Sequence, residues 1–526
     1  MQRPTTPLVD IHAHVFNASD LPIKRFLEIV FLDLYPEQGA QRLLDTEDPN
    51  VVDGLIDFFL WVLGADGAPT ARDEIDVLNG TRAARARAAD LTSAGEVTVV
   101  RTAEFLRKLE QPGANFGERS PSEHGALAVR NALRKAGGVE GRPIGTVDLA
   151  ASEFAARNAY ASQFDVGVYL RWFTLFTVYR HVLVDELTAF HQRQGFSPIA
   201  LAPSIIDYSK WLGQEVVSPL ADQIEVMGLI AKRPGPAIHG FVAFDPLHEV
   251  YFRTGHDSTN PLALVRTALV EHGFAGVKIY PPMGFFPHGN TRDQDYPKRV
   301  RDLIGDRIGD ELDAALDGLY ALCVELDAPI LAHTAHTNGA GPNYADRADP
   351  AFWIPVFTKY PKLRVCLAHF GHFDARSHAA PVGSTFPEAS WEWVIGGHIA
   401  ANRSAPVFVD LGYFAEVLTA DASRRNELAQ AFRDFVRLFD PDVQHIMFGS
   451  DWVMLGAESG HADYTNAVVR FLTDDCALDA AAVGRVMVEN ASRFLGVRED
   501  GPARRRLLRF YDVNGLSPKL QQLGQP

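Results

Sequence analysis

Eight short segments along the chain share one design, a run of β-branched and apolar residues that ends in polar, Gly or Pro positions. In order they are PLVDIH (7–12), PIALAPSII (198–206), AIHGFVAFD (237–245), FAGVKIY (274–280), APILAHT (328–334), LRVCLAHF (363–370), PVFVDLG (406–412) and HIMFGSD (445–451). Stretches with apolar residues three and four apart separate most of them, such as ELDAALDGLYALCVELD (311–327) and ELAQAFRDFVRLF (427–439). Strand alternating with helix eight times predicts an α/β fold, a (β/α)8 TIM barrel.

One connection breaks the rhythm. About 185 residues separate the first two strands, far more than a βα loop needs, so a large, mostly helical insertion or cap is expected over 17–160. The predicted organisation is a first barrel strand within 1–16, that insertion, the remainder of the barrel over 161–500, and a C-terminal tail at 501–526. KAGGVEGRPIG (135–145) reads as a linker inside the insertion. The apolar segment 165–195 is the candidate first barrel helix, and DAAAVGRVMVENASRFLGV (479–497) the closing one.

A net charge of −16 over 526 residues argues against nucleic acid or an anionic membrane as partner, since phosphate binding needs a basic face. The longest apolar stretch, 166–184, is broken by Arg171, Arg180 and His181 and reads as a buried helix, not a membrane span. Cys323, Cys366 and Cys476 are dispersed and form no CxxC pair, which indicates neither a disulfide framework nor a thiolate zinc site and fits a reducing cytoplasm. The opening residues lack the charged-then-apolar design of a signal peptide. A small-molecule substrate is the expected partner, and self-association as a homo-oligomer stays open.

A barrel of this kind carries its active site at the C-terminal ends of the strands. Five of the eight end in metal-capable side chains: His12 and His14 on strand one, Lys278 on strand four, His333 on strand five, His369 on strand six and Asp451 on strand eight. Residues two apart on a strand share a face, so His12 and His14 can aim at one ion while Ala13 points away. Imidazole with carboxylate suits Zn²⁺ and similar divalent metals. Singly, each residue has a plain structural explanation: a salt-bridged lysine for Lys278, a strand-end hydrogen bonder for each histidine, a capping carboxylate for Asp10. The ordered set is hard to obtain without selection for a site.

With DIHAH, GVKIYPP, LAHT, LAHFGH and FGSDW at these five strand ends, the chain resembles the amidohydrolase superfamily. The likeness is to its amidohydrolase-related (amidohydrolase 2) branch, which includes aminocarboxymuconate semialdehyde decarboxylase, and it covers 7–16 and about 198–497. It implies that His12, His14 and Asp451 hold a first divalent metal, with His333 and His369 completing its shell or serving a second. One Zn²⁺ is expected; the alternative is two ions bridged by a carbamylated Lys278, a modification that needs the neutral amine. The implied chemistry is hydrolysis of an amide, cyclic amide, ester or lactone by activated water, with Asp451 moving the proton and His369 orienting water or substrate. Non-oxidative decarboxylation on the same scaffold is the rival, and a non-catalytic binding or assembly module a distant third.

Substrate contacts are expected from residues that follow the strands: Tyr280 and His288 in YPPMGFFPHGN (280–290), His336 and Asn338 after strand five, His372 and Arg376 after strand six, Arg403 before strand seven, and Trp452 beside Asp451. An arginine among them would clamp a carboxylate bidentately.

Overall fold

The computed structural model describes residues 6–31, 68–80, 172, 174–292, 295–337, 339–371 and 390–523. The chain divides into two compact units: Met1–Val15, Val184–Trp211 and Pro219–Pro526 form one, Phe16–Leu183 and Leu212–Ser218 the other.

The first unit is the barrel. Its strands are β1 (Thr6–His14), β2 (Phe196–Ser204), β3 (Ala237–Ile238), β4 (Phe241–Ala243), β5 (Gly276–Ile279), β6 (Ile330–His333), β7 (Val365–Ala368), β8 (Val407–Asp410) and β9 (Ile446–Met447). They pair in parallel in the order β1-β2-β4-β5-β6-β7-β8-β9, with β3 beside β2. The eight expected segments are thus the eight barrel positions, the third being split into β3 and β4. The split falls at Gly240, where a Cβ would lie 2.2 Å from the Pro203 carbonyl oxygen, so only glycine lets the two backbones approach. Ile11 N donates to Phe448 O (3.3 Å) and Asp451 N to His12 O (2.7 Å), which joins the first strand to the chain that follows the last.

Helices cover the sheet, so the central strands β5 to β8 are buried at every residue, as expected for a parallel sheet. The two amphipathic stretches form the helices Ile308–Glu325 and Ala422–Phe439; the first buries Leu312, Ala315, Leu316, Leu319 and Cys323 on one stripe, the second Leu428, Phe432, Phe435 and Phe439. Within the stretch expected as the first barrel helix, Arg180–Arg193 is helical, while 165–171 lies outside the described residues. The closing segment is helical from Ala480 to Phe494.

The C-terminal segment is more than a tail. Pro502–Val513 is a helix that buries Ala503, Leu507, Phe510 and Tyr511, a spacing of four, three and one that makes one apolar face. Arg506 donates to the carbonyls of Leu269 and Ala275, both at 2.8 Å, and Tyr511 Oη lies 2.7 Å from His239 Nε2. Ala275 immediately precedes β5, so this helix docks at the N-terminal ends of the strands, opposite the site. Its charged residues disguise that face in a purely compositional reading.

In the second unit, Arg180 is fully buried between Asp20 (Nε to Oδ2, 2.9 Å) and Glu74 (Nη1 to Oε2, 3.0 Å), and Glu74 also accepts from the His181 backbone. Glu74 lies in the helix Ala71–Leu78, capped by Thr70. Most of the expected helical insertion, 32–67 and 81–160, falls outside the described residues, as does the linker 135–145. Among the described residues no helix is long and apolar enough to cross a membrane.

Candidate metal centre and active site

The alternation of β1 puts His12 and His14 on one face at its C-terminal end, and the parallel register brings the ends of β5 to β9 round to the same place. Lys278 lies in β5, His333 ends β6, His369 follows β7, and Asp451 follows β9; all are buried or nearly so. His369 (φ 63°) and Asp451 (φ 53°) both occupy the left-handed region, where a side chain with a Cβ is strained and where functional residues concentrate.

The hydrogen bonds fix the imidazole tautomers. His14 Nδ1 lies 3.2 Å from the Ser204 carbonyl, which can only accept, so Nδ1 carries the proton and Nε2 presents a lone pair. His12 Nδ1 donates to Asp410 Oδ2 (3.1 Å), again leaving Nε2 as a lone pair, which Lys278 Nζ approaches at 3.0 Å. His369 Nδ1 donates to Gly412 O (2.9 Å), so its Nε2 accepts from His333 Nδ1 (3.0 Å). His333 Nε2 is then a buried lone pair with no hydrogen-bond partner among the described residues, and Asp451 Oδ1 is in the same condition.

That donor set fits a cation. Asp451 Oδ1 lies 3.3 Å from His14 Nε2 and 3.5 Å from His12 Nε2, so three possible ligand atoms converge on one place. A tetrahedral ion with bonds of about 2.1 Å separates its ligands by about 3.4 Å, which these distances match. His12, His14 and Asp451 form one group able to hold a metal, and His12, His369 and Asp410 a second, overlapping one.

Electrostatics prepare the same arrangement. Burial lowers His14 and, together with the neighbouring histidines and Lys278, takes His333 well below its ordinary range. Burial and His12 lower His369 to about 4, so these imidazoles are neutral and able to ligate. Burial pushes the Asp451 carboxyl up, but attraction to His12, His14 and His369 outweighs it and holds the group at about 2. Burial lowers Lys278 against the pull of Asp451 and Asp410, which favours the neutral amine.

Two carboxylates organise this cluster. Asp410, which strand-end reading passed over although it ends β8, accepts from His12 Nδ1, His369 N (3.0 Å) and Gly412 N (2.8 Å). Burial raises its carboxyl, and His12 and His369 more than reverse this, to far below the usual range. Asp10, read as a capping carboxylate, is fully buried; it accepts from the Ser450 backbone (3.0 Å) and hydroxyl (2.5 Å), so it ties β1 to the residue preceding Asp451.

Of the expected substrate contacts, Tyr280 belongs to the site: its ring lies 4.2 Å from that of His333. Trp452 is buried beside Asp451, and its residue pairs with Ala13 of β1. Two of the others have their described contacts elsewhere. His336 is exposed and stacks on Trp391 (4.2 Å), and Arg403 is exposed 3.9 Å from Asp442. No described contact joins His288 to the cluster. Asn338, His372 and Arg376 lie outside the described residues.

The amidohydrolase family model matches residues 228–497, just over half of the chain. The chain belongs to the amidohydrolase family. The matched stretch runs from the helix before β3 through the closing helix and so takes in Lys278, His333, His369, Asp410 and Asp451. No curated protein matches this amidohydrolase. Among solved structures it is similar to an amidohydrolase from Burkholderia multivorans (15% identity, 62% of this chain and 91% of that one, TM-score 0.39). It is also similar to 5-carboxyvanillate decarboxylase from Sphingomonas paucimobilis (13%, 59% and 82%, TM-score 0.34). A third is a candidate metal-dependent hydrolase from Lactobacillus casei (13%, 96% and 97%, TM-score 0.38).

Beside the cluster is a narrow cleft, partly open to solvent, whose lining includes Lys278, Tyr280, Tyr208, Asp207 and Asp245. Asp207 is paired with His248 (2.9 Å), which keeps its carboxyl low despite burial. Asp245 has no such partner, and burial, reinforced by the Asp207 charge, raises it to about 7. The folded protein therefore keeps this proton up to about pH 7, whereas the unfolded chain loses it near pH 4. The stability this group contributes is full below pH 4 and is lost as pH rises towards 7. Asp245→Asn, which does not titrate, should gain on the parent protein across that window and run level above it; parallel urea-midpoint profiles from pH 4 to 8 would contradict the shift.

Proposed function

We propose that this amidohydrolase is a metal-dependent hydrolase that cleaves a C–N or C–O bond of a small molecule, working with one divalent ion, Zn²⁺ by preference. The convergence of His12 Nε2 and His14 Nε2 on Asp451 Oδ1, at 3.5 and 3.3 Å, supports this reading most directly. His12, His14 and Asp451 would hold the ion, with His333 Nε2 available to complete the set. When bound, such an ion polarises a substrate oxygen and acidifies water.

The chain's own residues do the rest. Asp451, ionised throughout the working pH range, takes the proton of the attacking water and passes it to the leaving group. His369, anchored by Gly412 O, would orient water or substrate by exchanging its Nε2 contact with His333 for one to that group. Tyr280, its ring tilted against that of His333, forms a wall of the substrate side. Lys278 is buried 3.0 Å from His12, where its amine can take up CO₂ should a second ion bind.

Metal analysis of the purified protein, followed by a screen of esters, lactones, amides and cyclic amides, tests this. About one equivalent of zinc per chain and hydrolysis that is lost on chelation and restored by added Zn²⁺ are expected. Protein that carries no metal, takes none up and hydrolyses nothing in the presence of Zn²⁺ would overturn the proposal.

A further inference from the structure

The cavity beside the metal centre holds a carboxylate that the mechanism above does not use. Asp245 caps the helix Pro246–Arg253, with Oδ1 accepting from Leu247 N (2.9 Å) and from Trp211 Nε1 (2.7 Å). Both bonds go to one oxygen. The other, Oδ2, is buried and has no hydrogen-bond partner among the described residues, in a side chain only 3% exposed that lines the cavity. Leaving a buried carboxylate oxygen unpaired is costly, and native proteins seldom do so without a functional reason.

The surrounding charges define what would satisfy it. Asp207 is neutralised by His248, whose Nε2 also lies 3.3 Å from Asp257, and Asp257 in turn pairs with Lys210 at 2.9 Å. Asp207 and Asp257 are thus each matched by a basic partner, whereas Asp245 has no ion pair of its own among the described residues. Tyr251, from the same helix as His248, adds no cation. Lys278 lines the cavity too, but its amine is turned to His12.

We propose that Asp245 is a specificity-determining residue, and that its Oδ2 receives an amino group of the substrate, carried as an ammonium, from a molecule whose reacting bond lies at the metal centre. The inference rests on the metal-hydrolase reading. It deepens that reading by naming the substrate class: an amide, ester or lactone that bears an amine beyond the bond to be cleaved. The amine supplies the missing hydrogen-bond donor and the missing positive charge together, whereas a substrate with a distal carboxylate would face Asp207 and Asp245 and be refused.

Hydroxamates that chelate the ion and differ only at the far end test this. Zinc-loaded protein is titrated at pH 8 with butanohydroxamate and 4-aminobutanohydroxamate, with the matching three- and five-carbon pairs, and with the carboxylate-ended succinic monohydroxamate. The ammonium end should bind about tenfold or more tightly than the methyl end at one chain length, and the carboxylate end most weakly. Asp245→Asn keeps an oxygen for Leu247 N and Trp211 Nε1 but turns an NH₂ group to the cavity, so it should fold and lose the preference while still binding butanohydroxamate.

Equal binding of the two ends at all three lengths, tighter binding of the carboxylate end, or a preference that survives in Asp245→Asn would overturn the assignment with the metal reading intact. Failure of every hydroxamate to bind zinc-loaded protein would instead refute the metal reading and this inference with it.

Discussion

Asp451→Asn should lower kcat/KM on the best substrate of the hydrolysis screen by about 10³- to 10⁴-fold, the range expected when a general acid–base group and a metal ligand are lost together. Asparagine is nearly isosteric, but its amide cannot take a proton from water. Zn²⁺ binds the folded state and should raise Tm of the parent far more than that of the variant. Turnover above a tenth of the parent value would remove Asp451 from the mechanism.

The first candidate ligands are legible because their geometry is local. His12 and His14 need only the two-residue period of a strand, and Lys278, His333 and Asp451 need only the rule that barrel sites lie at strand ends. The same rule applied to PVFVDLG would have found Asp410, the last residue of β8. It was overlooked because a single aspartate near a Gly reads equally well as a turn residue. Asp207 and Asp245 were hidden for another reason. They stand 38 positions apart in sequence, beyond β2 and β4, and become two walls of one cavity only when the barrel brings those strand ends together. His336 shows the converse: it stands three residues after a ligand candidate, yet its ring turns outward onto Trp391. Loop residues lack the period that lets a strand residue's direction be read from its number.

Asp410→Asn should weaken zinc binding by about 10- to 100-fold, the usual effect of removing the carboxylate that orients a ligating histidine. The reason is tautomeric. Asp410 Oδ1 accepts from His369 N and Gly412 N, and an asparagine oxygen in that position keeps both bonds. The amide NH₂ must then replace Oδ2, where it meets the proton on His12 Nδ1. That contact is relieved when the His12 proton moves to Nε2, which removes the lone pair facing Asp451. Since the side chain's shape and two of its hydrogen bonds persist, the metal-free variant should stay folded, and the loss should appear in metal affinity. Competition with a chromophoric chelator measures that affinity, and metal-free Tm serves as the control. Zinc affinity equal to that of the parent would mean that Asp410 does not set the His12 tautomer, and a fall in metal-free Tm alone would reduce it to a structural link between β8 and β1.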